Sequence, residues 1–283
     1  MDPNCLRYCL TDQERTQFEK DGFIVVPEAL SAEMVEILIA AVDETTERYK
    51  SERHLGPVEY LNILDAIGRE KCFLDLLDWP KTFPKVFGIL GWNIQLYHSH
   101  LIITPPQTAF NDGTAPRAVN WHQDSGRLNV ELEGDPRPRV SLKVGFFLTD
   151  TTVPDSGPFS VVPGSHLRNH LEFPADGTRN PDGAVEISVP PGTAVFFDRR
   201  LWHVGSPNRS DRTRKVLFMG YSYRWLRPRD DMTVAHLIER CDPIRRQLLG
   251  VATGGFGYTS PSEADVPLKD WIRRHIGEEA VAQ

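Results

Sequence analysis

The sequence is poor in cysteine, contains no long apolar run and has no surplus of positive charge. Cys5, Cys9, Cys72 and Cys241 are the four cysteines in 283 residues, and none stands in a CxxC pair. Cys5 and Cys9 have no second Cys/His pair beside them, so they do not read as a zinc site. Sparse, unpatterned cysteine suits a reducing compartment. No segment approaches the roughly 20 apolar residues that span a bilayer. The opening MDPNCLRYCLTDQER lacks the basic and apolar regions of a secretory signal. The closing EEAVAQ is not a peroxisomal SKL-type signal. A soluble cytoplasmic protein with no membrane partner is expected. The formal net charge is −7 and the pI about 5.7, whereas a nucleic-acid binder needs a basic face to displace phosphate counterions. The most basic stretch, RWLRPR (224–229), is short and interrupted by Trp225 and Pro228. It reads as a strand end with solvated charges. GVATGGFG (250–257) has neither a following Lys-Ser/Thr nor a preceding strand, so it reads as a loop and not as a phosphate cradle. No nucleic-acid partner is expected.

What is present is an ordinary globular balance, 40% hydrophobic and 25% charged. The expectation is a single domain over residues 1–283, with a helical part at 1–92, a β core at 93–229 and a helical tail at 230–283. Thr11 followed by Glu14 makes a capping box for a first helix that stops near Gly22. FIVVP (23–27) then reads as a short strand ended by proline. Ser31 begins a second helix with apolar residues at helical spacing. Further helices are expected at 70–77 and 82–90. From Asn93 the texture changes to short β-rich runs between turn residues: 94–103, 140–149, 159–163, 184–189, 193–198 and 215–225. That pattern predicts a mainly β fold, a barrel or sandwich with flanking helices. Helical segments return at 235–240, 244–249 and 267–276.

Three features carry chemistry. Trp121-His122-Gln123-Asp124 lies in a turn-rich stretch before a strand. Residues i and i+2 of an extended chain share a face, so His122 and Asp124 can reach one metal. His203 follows the run TAVFFD, and Arg214 comes 11 residues later. Two histidines and one carboxylate on one face of a metal leave the opposite positions open, the facial triad of non-haem iron(II) oxygenases. A downstream arginine offers a planar donor fork that matches the distal carboxylate of a 2-oxo diacid. An isolated HxD is weak evidence, and a hydrogen-bonded turn histidine is the bland reading of His122. For His203 the bland reading is a core histidine, and for Arg214 a solvated charge.

The chain resembles the phytanoyl-CoA dioxygenase family of 2-oxoglutarate oxygenases over about residues 18–229. The resemblance is carried by DGFIVVPEAL (21–30), LIITPP (101–106), WHQD (121–124), LKVGFFLTD (142–150), SGPFSVVPGSH (156–166) and GTAVFFDRRLWHVGSPNRSDRTR (192–214). It implies a double-stranded β-helix, or jelly-roll, core. It implies iron ligation by His122, Asp124 and His203, and pairing of Arg214 with the 2-oxoglutarate C5 carboxylate. Gln123 matches a neighbour of the co-substrate, and Phe146 falls where relatives place an aromatic beside it. His100 and Asn62 fall near two further co-substrate contacts, where relatives often have Met and Lys. Asn62 reads equally as a helix or loop cap. His98 and His100 alternate along a strand, and His100 is taken as the inward one. His166 in PGSH reads as a structural turn residue.

The reaction implied needs iron(II), 2-oxoglutarate and O2, releases succinate and CO2, and hydroxylates an unactivated C–H bond of a small-molecule metabolite. Relatives that halogenate usually lack the carboxylate that Asp124 keeps, which favours hydroxylation. The runner-up is a non-oxidising, metal-binding cupin-like protein, which would have no use for Arg214. A zinc hydrolase on the same ligands comes third, because no separate general base is placed. The polar, Pro/Gly/Asp-rich stretches 105–118 and 167–183 are expected to close over the substrate. The net negative charge suggests no attraction for a polyphosphate substrate.

Overall fold

The computed structural model describes every residue except 57–58, 107–119, 175–179, 255–256, 258–260 and 283. Two antiparallel sheets face each other, and helices cover the outer face of the larger one. Strands β1 (Phe23–Val26), β2 (Leu61–Leu64), β3 (Ile94–Thr104), β4 (Ser141–Phe147), β7 (Ala194–Asp198) and β9 (Arg214–Tyr223) form the larger sheet, in the order β1-β7-β4-β9-β3-β2. β5 (Phe159–Val161), β6 (Val185–Ile187) and β8 (His203–Gly205) form the smaller, in the order β6-β5-β8. This is a jelly-roll core.

The N-terminal part is not wholly helical. The expected strand after Gly22 pairs with β7, Phe23 facing Phe197. β2, unexpected from the sequence, pairs with β3 at the opposite edge. α1 (Asp12–Asp21) precedes β1, α2 (Ala32–Arg53) runs between β1 and β2, and α3 (Lys71–Asp75) and α4 (Phe83–Leu90) follow β2. The capping box of α1 is formed, with Thr11 and Glu14 each accepting the other's backbone N–H. Gly22 ends α1 at φ +83°, a left-handed turn that glycine adopts without strain. A Cβ there would also strike the His166 ring, at 2.5 Å. His166 is buried, with Nε2 3.1 Å from the Glu19 carbonyl. The PGSH element therefore packs on the end of α1, as its structural reading requires. A short α5 (Gly126–Glu131) follows the WHQD segment, and α6 (Ala235–Ile238), α7 (Pro243–Leu248) and α8 (Pro267–His275) close the chain.

The alternation of strand side chains divides the interior in two. Leu142, Val144 and Phe146 of β4, with Leu217, Met219 and Tyr221 of β9, join the large core beneath the helices. Leu38 and Val42 of α2, Phe83 and Val86 of α4, and Leu268 and Ile272 of α8 pack there too. Phe147 and Val216 point the other way. They pack with Phe159, Val161, Ile187 and Phe197 between the sheets. That inter-sheet layer is incomplete, and the space it leaves is a cavity of about 1060 Å³. Among the described residues, no helix is long and apolar enough to cross a membrane.

Candidate metal centre

His122, Asp124 and His203 come together at one wall of this cavity, with one ligand atom from each lying within 4.8 Å of the others. His203 follows β7, as expected, and itself begins β8, where it forms an antiparallel bridge with His122. His122 N–H donates to the His203 carbonyl at 3.1 Å, and His203 N–H donates back at 3.0 Å. The bridge sets the two rings side by side, with centroids 4.4 Å apart. Asp124 is fixed by its own N–H, which donates to the Arg199 carbonyl at 2.8 Å, and by Asn129 Nδ2, which donates to its carbonyl at 2.8 Å. The fully buried Arg199 in turn donates to Asn129 Oδ1 and to the Pro138 carbonyl.

The donor set fits a divalent metal. Nδ1 of His122 lies 2.9 Å from the Asn120 carbonyl, and Nδ1 of His203 lies 2.8 Å from the Leu201 carbonyl. A ring that donates from Nδ1 to a carbonyl keeps Nε2 as a lone-pair donor, the usual arrangement behind a metal ligand. Asp124 Oδ2 is buried with no hydrogen-bond partner among the described residues. Burial raises the Asp124 carboxyl, but the Lys143 ammonium beside it outweighs that effect and holds the group well below the ordinary carboxylate range. Burial, with His122 beside it, pushes His203 down to about 3, so its ring is neutral and able to ligate at neutral pH.

Lys143 is the part of this site that sequence reading missed. Its Nζ lies 2.7 Å from Asp124 Oδ1, and both side chains are buried. The ammonium also stands 5.9 Å from the ring centres of Phe197 and Phe218. Lys143 precedes Phe147 by four residues in β4 and so shares its cavity face.

Arg214 lies at the far end of the cavity and is buried. Its guanidinium donates to the Gly157 carbonyl, to the Ser206 carbonyl at 3.1 Å and to Thr104 Oγ1 at 2.9 Å. Nε keeps no partner among the described residues. Burial lowers its pKa to about 10, which still leaves it charged at neutral pH. Gly157 sits at φ +73°, and a Cβ there would lie 2.9 Å from Arg214 Nη1, so the glycine of SGPF makes room for the arginine.

The remaining expected residues divide. Gln123 lines the cavity, and its Nε2 donates to the Arg200 carbonyl. Asn62 is in β2, not a cap, and faces the cavity. His98 and His100 are two residues apart and share a face. Their rings stack 4.9 Å apart, with the Nδ1 atoms at 3.2 Å. His100 lines the cavity, while His98 is sealed above Gly220. Burial, reinforced by Lys143, keeps both rings below the ordinary histidine range. Phe146 is a correction: it is fully buried on the helix side of β4, and Phe147 takes the cavity side. The basic stretch is corrected as well, because Arg224 is buried and Arg229 borders the cavity. Most of the first expected lid, 107–118, and residues 175–179 of the second lie outside the described residues. Phe173 of the second packs edge-on against Trp202, with centroids 5.2 Å apart.

A model of the phytanoyl-CoA dioxygenase (PhyH) family matches residues 18–216. The chain belongs to this family. It is a non-haem dioxygenase that works with iron and 2-oxoglutarate. The dioxygenase trt7 of Aspergillus terreus is 26% identical over 257 residues, covering 85% of this chain and 84% of its own. An ectoine dioxygenase of Stutzerimonas stutzeri is 24% identical over 238 residues, covering 73% and 75%. Among solved structures, HygX of Streptomyces hygroscopicus, with nickel and 2-oxoglutarate bound, superposes with a TM-score of 0.61. It is 16% identical, and the match covers 78% of this chain and 90% of that one, which speaks for the fold.

Proposed function

We propose that the chain is one oxygenase domain in which His122, Asp124 and His203 hold iron(II), Arg214 holds the far carboxylate of 2-oxoglutarate, and a small metabolite is hydroxylated. The single observation that carries this is the pairing of a metal-shaped donor set with a buried, charged arginine in one cavity. A metal-binding protein of the same fold with no co-substrate would leave the cost of burying Arg214 unexplained. Relatives named as dioxygenases, one of them an ectoine dioxygenase, support the same reading.

The bound iron and 2-oxoglutarate supply the oxidising chemistry, in which O2 and 2-oxoglutarate become succinate, CO2 and one oxygen atom for the substrate. This chain's residues do the rest. The His122–His203 bridge and the two Nδ1 hydrogen bonds keep both Nε2 atoms aimed at one point. Lys143 occupies Asp124 Oδ1, which leaves Oδ2 as the oxygen for the metal. The carbonyls of Gly157 and Ser206 hold the Arg214 fork in place. Phe147, Phe159, Phe197, Val216 and Phe218 exclude water between these points. Asp124 fills the position that a halide would need, so hydroxylation is the outcome. The test is release of succinate from 2-oxoglutarate by the iron-loaded protein, matched to a metabolite one oxygen atom heavier. Absence of both succinate and 2-oxoglutarate binding would defeat the reading.

A further inference from the structure

The cavity is cationic although the chain as a whole carries −7. Among its described lining residues Asp124 is the one acid, set against Lys143, Arg214 and Arg229. Lys143 is committed to Asp124, and Arg214 is committed to the co-substrate in the reading above. Arg229 has no carboxylate within ion-pair distance among the described residues. Its side chain is exposed at the cavity mouth, but its backbone is anchored. Arg229 N–H donates to the Tyr97 carbonyl at 2.7 Å. The next residue, Asp230, accepts from Ser99 N–H at 2.6 Å and Asp65 N–H at 3.2 Å.

Arg229 and Arg214 are anchored towards opposite ends of β3. Arg214 pairs with Thr104 in the sheet, and Arg229 N–H donates to the Tyr97 carbonyl, seven residues away on β3. At about 3.3 Å per residue those backbone anchors are roughly 20 Å apart. Lys143, which touches Asp124, is level with Gly220 and His98, next to Tyr97. A five-carbon diacid stretched from the metal towards Arg214 therefore runs away from Arg229. The space left to the substrate has a guanidinium at its rim and the rings of Tyr97, Phe197 and Phe218 along its walls.

We propose that Arg229 recognises the substrate, and that the substrate is an amphipathic anion whose carboxylate, phosphate or sulfate pairs with this guanidinium while its carbon skeleton lies over the metal. A guanidinium suits all three anions through its planar donor fork. The inference rests on the co-substrate reading, because Arg214 must be occupied for Arg229 to be the free cation among the described lining residues. It also reverses the expectation drawn from net charge, since the field that meets a ligand is that of the cavity and not of the whole surface.

Nickel-loaded protein with saturating 2-oxoglutarate is titrated calorimetrically with phenylacetate, phenyl phosphate and neutral phenylacetamide. One or both anions should bind at least tenfold more tightly than the amide, and which of the two does so separates carboxylate from phosphate recognition. Arg229→Gln should weaken anion binding at least tenfold, Arg229→Lys should recover part of it, and the Kd for 2-oxoglutarate should stay within twofold in both. Equal binding of amide and anions, no binding of either anion, or unchanged anion binding in Arg229→Gln overturns the proposal. Failure of the parent protein to bind 2-oxoglutarate in the first step defeats the underlying reading instead. In a metabolite extract split on an anion exchanger, the fraction that stimulates succinate release should be the retained one; activity confined to the flow-through also overturns the proposal.

Discussion

Lys143 Nζ lies 2.7 Å from Asp124 Oδ1 inside the cavity, so the carboxylate proposed for the metal is already neutralised on one oxygen. The pair gives the metal-free protein a way to keep a carboxylate out of water. Uncompensated, a buried charge is expensive, and a partner within hydrogen-bond distance offsets that cost. It also orients the group, because one oxygen is taken and the other is left bare.

Lys143→Met should therefore destabilise the protein most when metal is absent. Removing one member of a buried pair costs about 2–5 kcal/mol. A bound divalent ion replaces the lost positive charge, so the rise in Tm on adding nickel or iron should be larger in the variant than in the parent. Equal metal-induced rises in the two proteins would show that Lys143 does not share Asp124 with the metal.

Asp124→Gly removes the acidic ligand while leaving the His122–His203 bridge, which is made by backbone groups. Metal content after purification and dialysis should fall well below that of the parent, and hydroxylation should be lost. Succinate release accompanied by chlorinated product in the presence of chloride would show a halide entering the vacated position. Undiminished metal content would remove Asp124 from the ligand set.

Much of this site could be read from the chain, and the parts that could not share a physical cause. The capping box of α1 and the run of strands from Ile94 are local patterns, and local patterns show in sequence. β2 and β8 are four and three residues long, too short for a period to appear, so the strand that His203 begins does not show in the sequence although the strand before it does. Every residue of β4 is buried, so no alternation of apolar and polar marks its two faces, and Phe146 was taken for Phe147. Lys143 was passed over for the same reason: a lysine in a strand is ordinarily outward, and only the partner on another segment explains an inward one. Phe218 fills the space over Gly145, and His98 that over Gly220, contacts between strands that no linear spacing announces.

Asp230 offers a pH-dependent test of the segment that carries Arg229. Burial, with Asp65 nearby, raises its carboxyl from 3.8 to about 6. The folded state then holds a proton that the unfolded chain has released, so this group's contribution to stability falls as pH rises from about 4 to about 6. Asp230→Asn keeps an acceptor for the N–H groups of Ser99 and Asp65 and removes the charge. The variant should melt higher than the parent at pH 7.5, and the difference should shrink towards pH 4.5. A variant less stable than the parent at pH 7.5 would show that the carboxylate is needed in its charged form.

Arg214 and Gly157 should fail together, because one makes the seat of the other. Arg214→Ala removes the buried cation and its donors to the Gly157 and Ser206 carbonyls and to Thr104 Oγ1. If Arg214 holds the 2-oxoglutarate C5 carboxylate, truncation costs about 2–5 kcal/mol of binding, which weakens 2-oxoglutarate by roughly thirtyfold or more. Metal content should stay near the parent's, because Arg214 stands at the other end of the cavity from Asp124. Gly157→Ala keeps the charge but puts a methyl group 2.7 Å from the Ser206 carbonyl and 2.9 Å from Arg214 Nη1, at a φ of +73° that a Cβ tolerates poorly. It should raise the 2-oxoglutarate requirement in the same direction as Arg214→Ala, with metal binding again retained. Calorimetric titration of each nickel-loaded protein with 2-oxoglutarate reads both effects. If Arg214→Ala binds the co-substrate as tightly as the parent, another residue carries its far carboxylate. If Gly157→Ala alone is unaffected, the arginine reaches its partner without help from the turn.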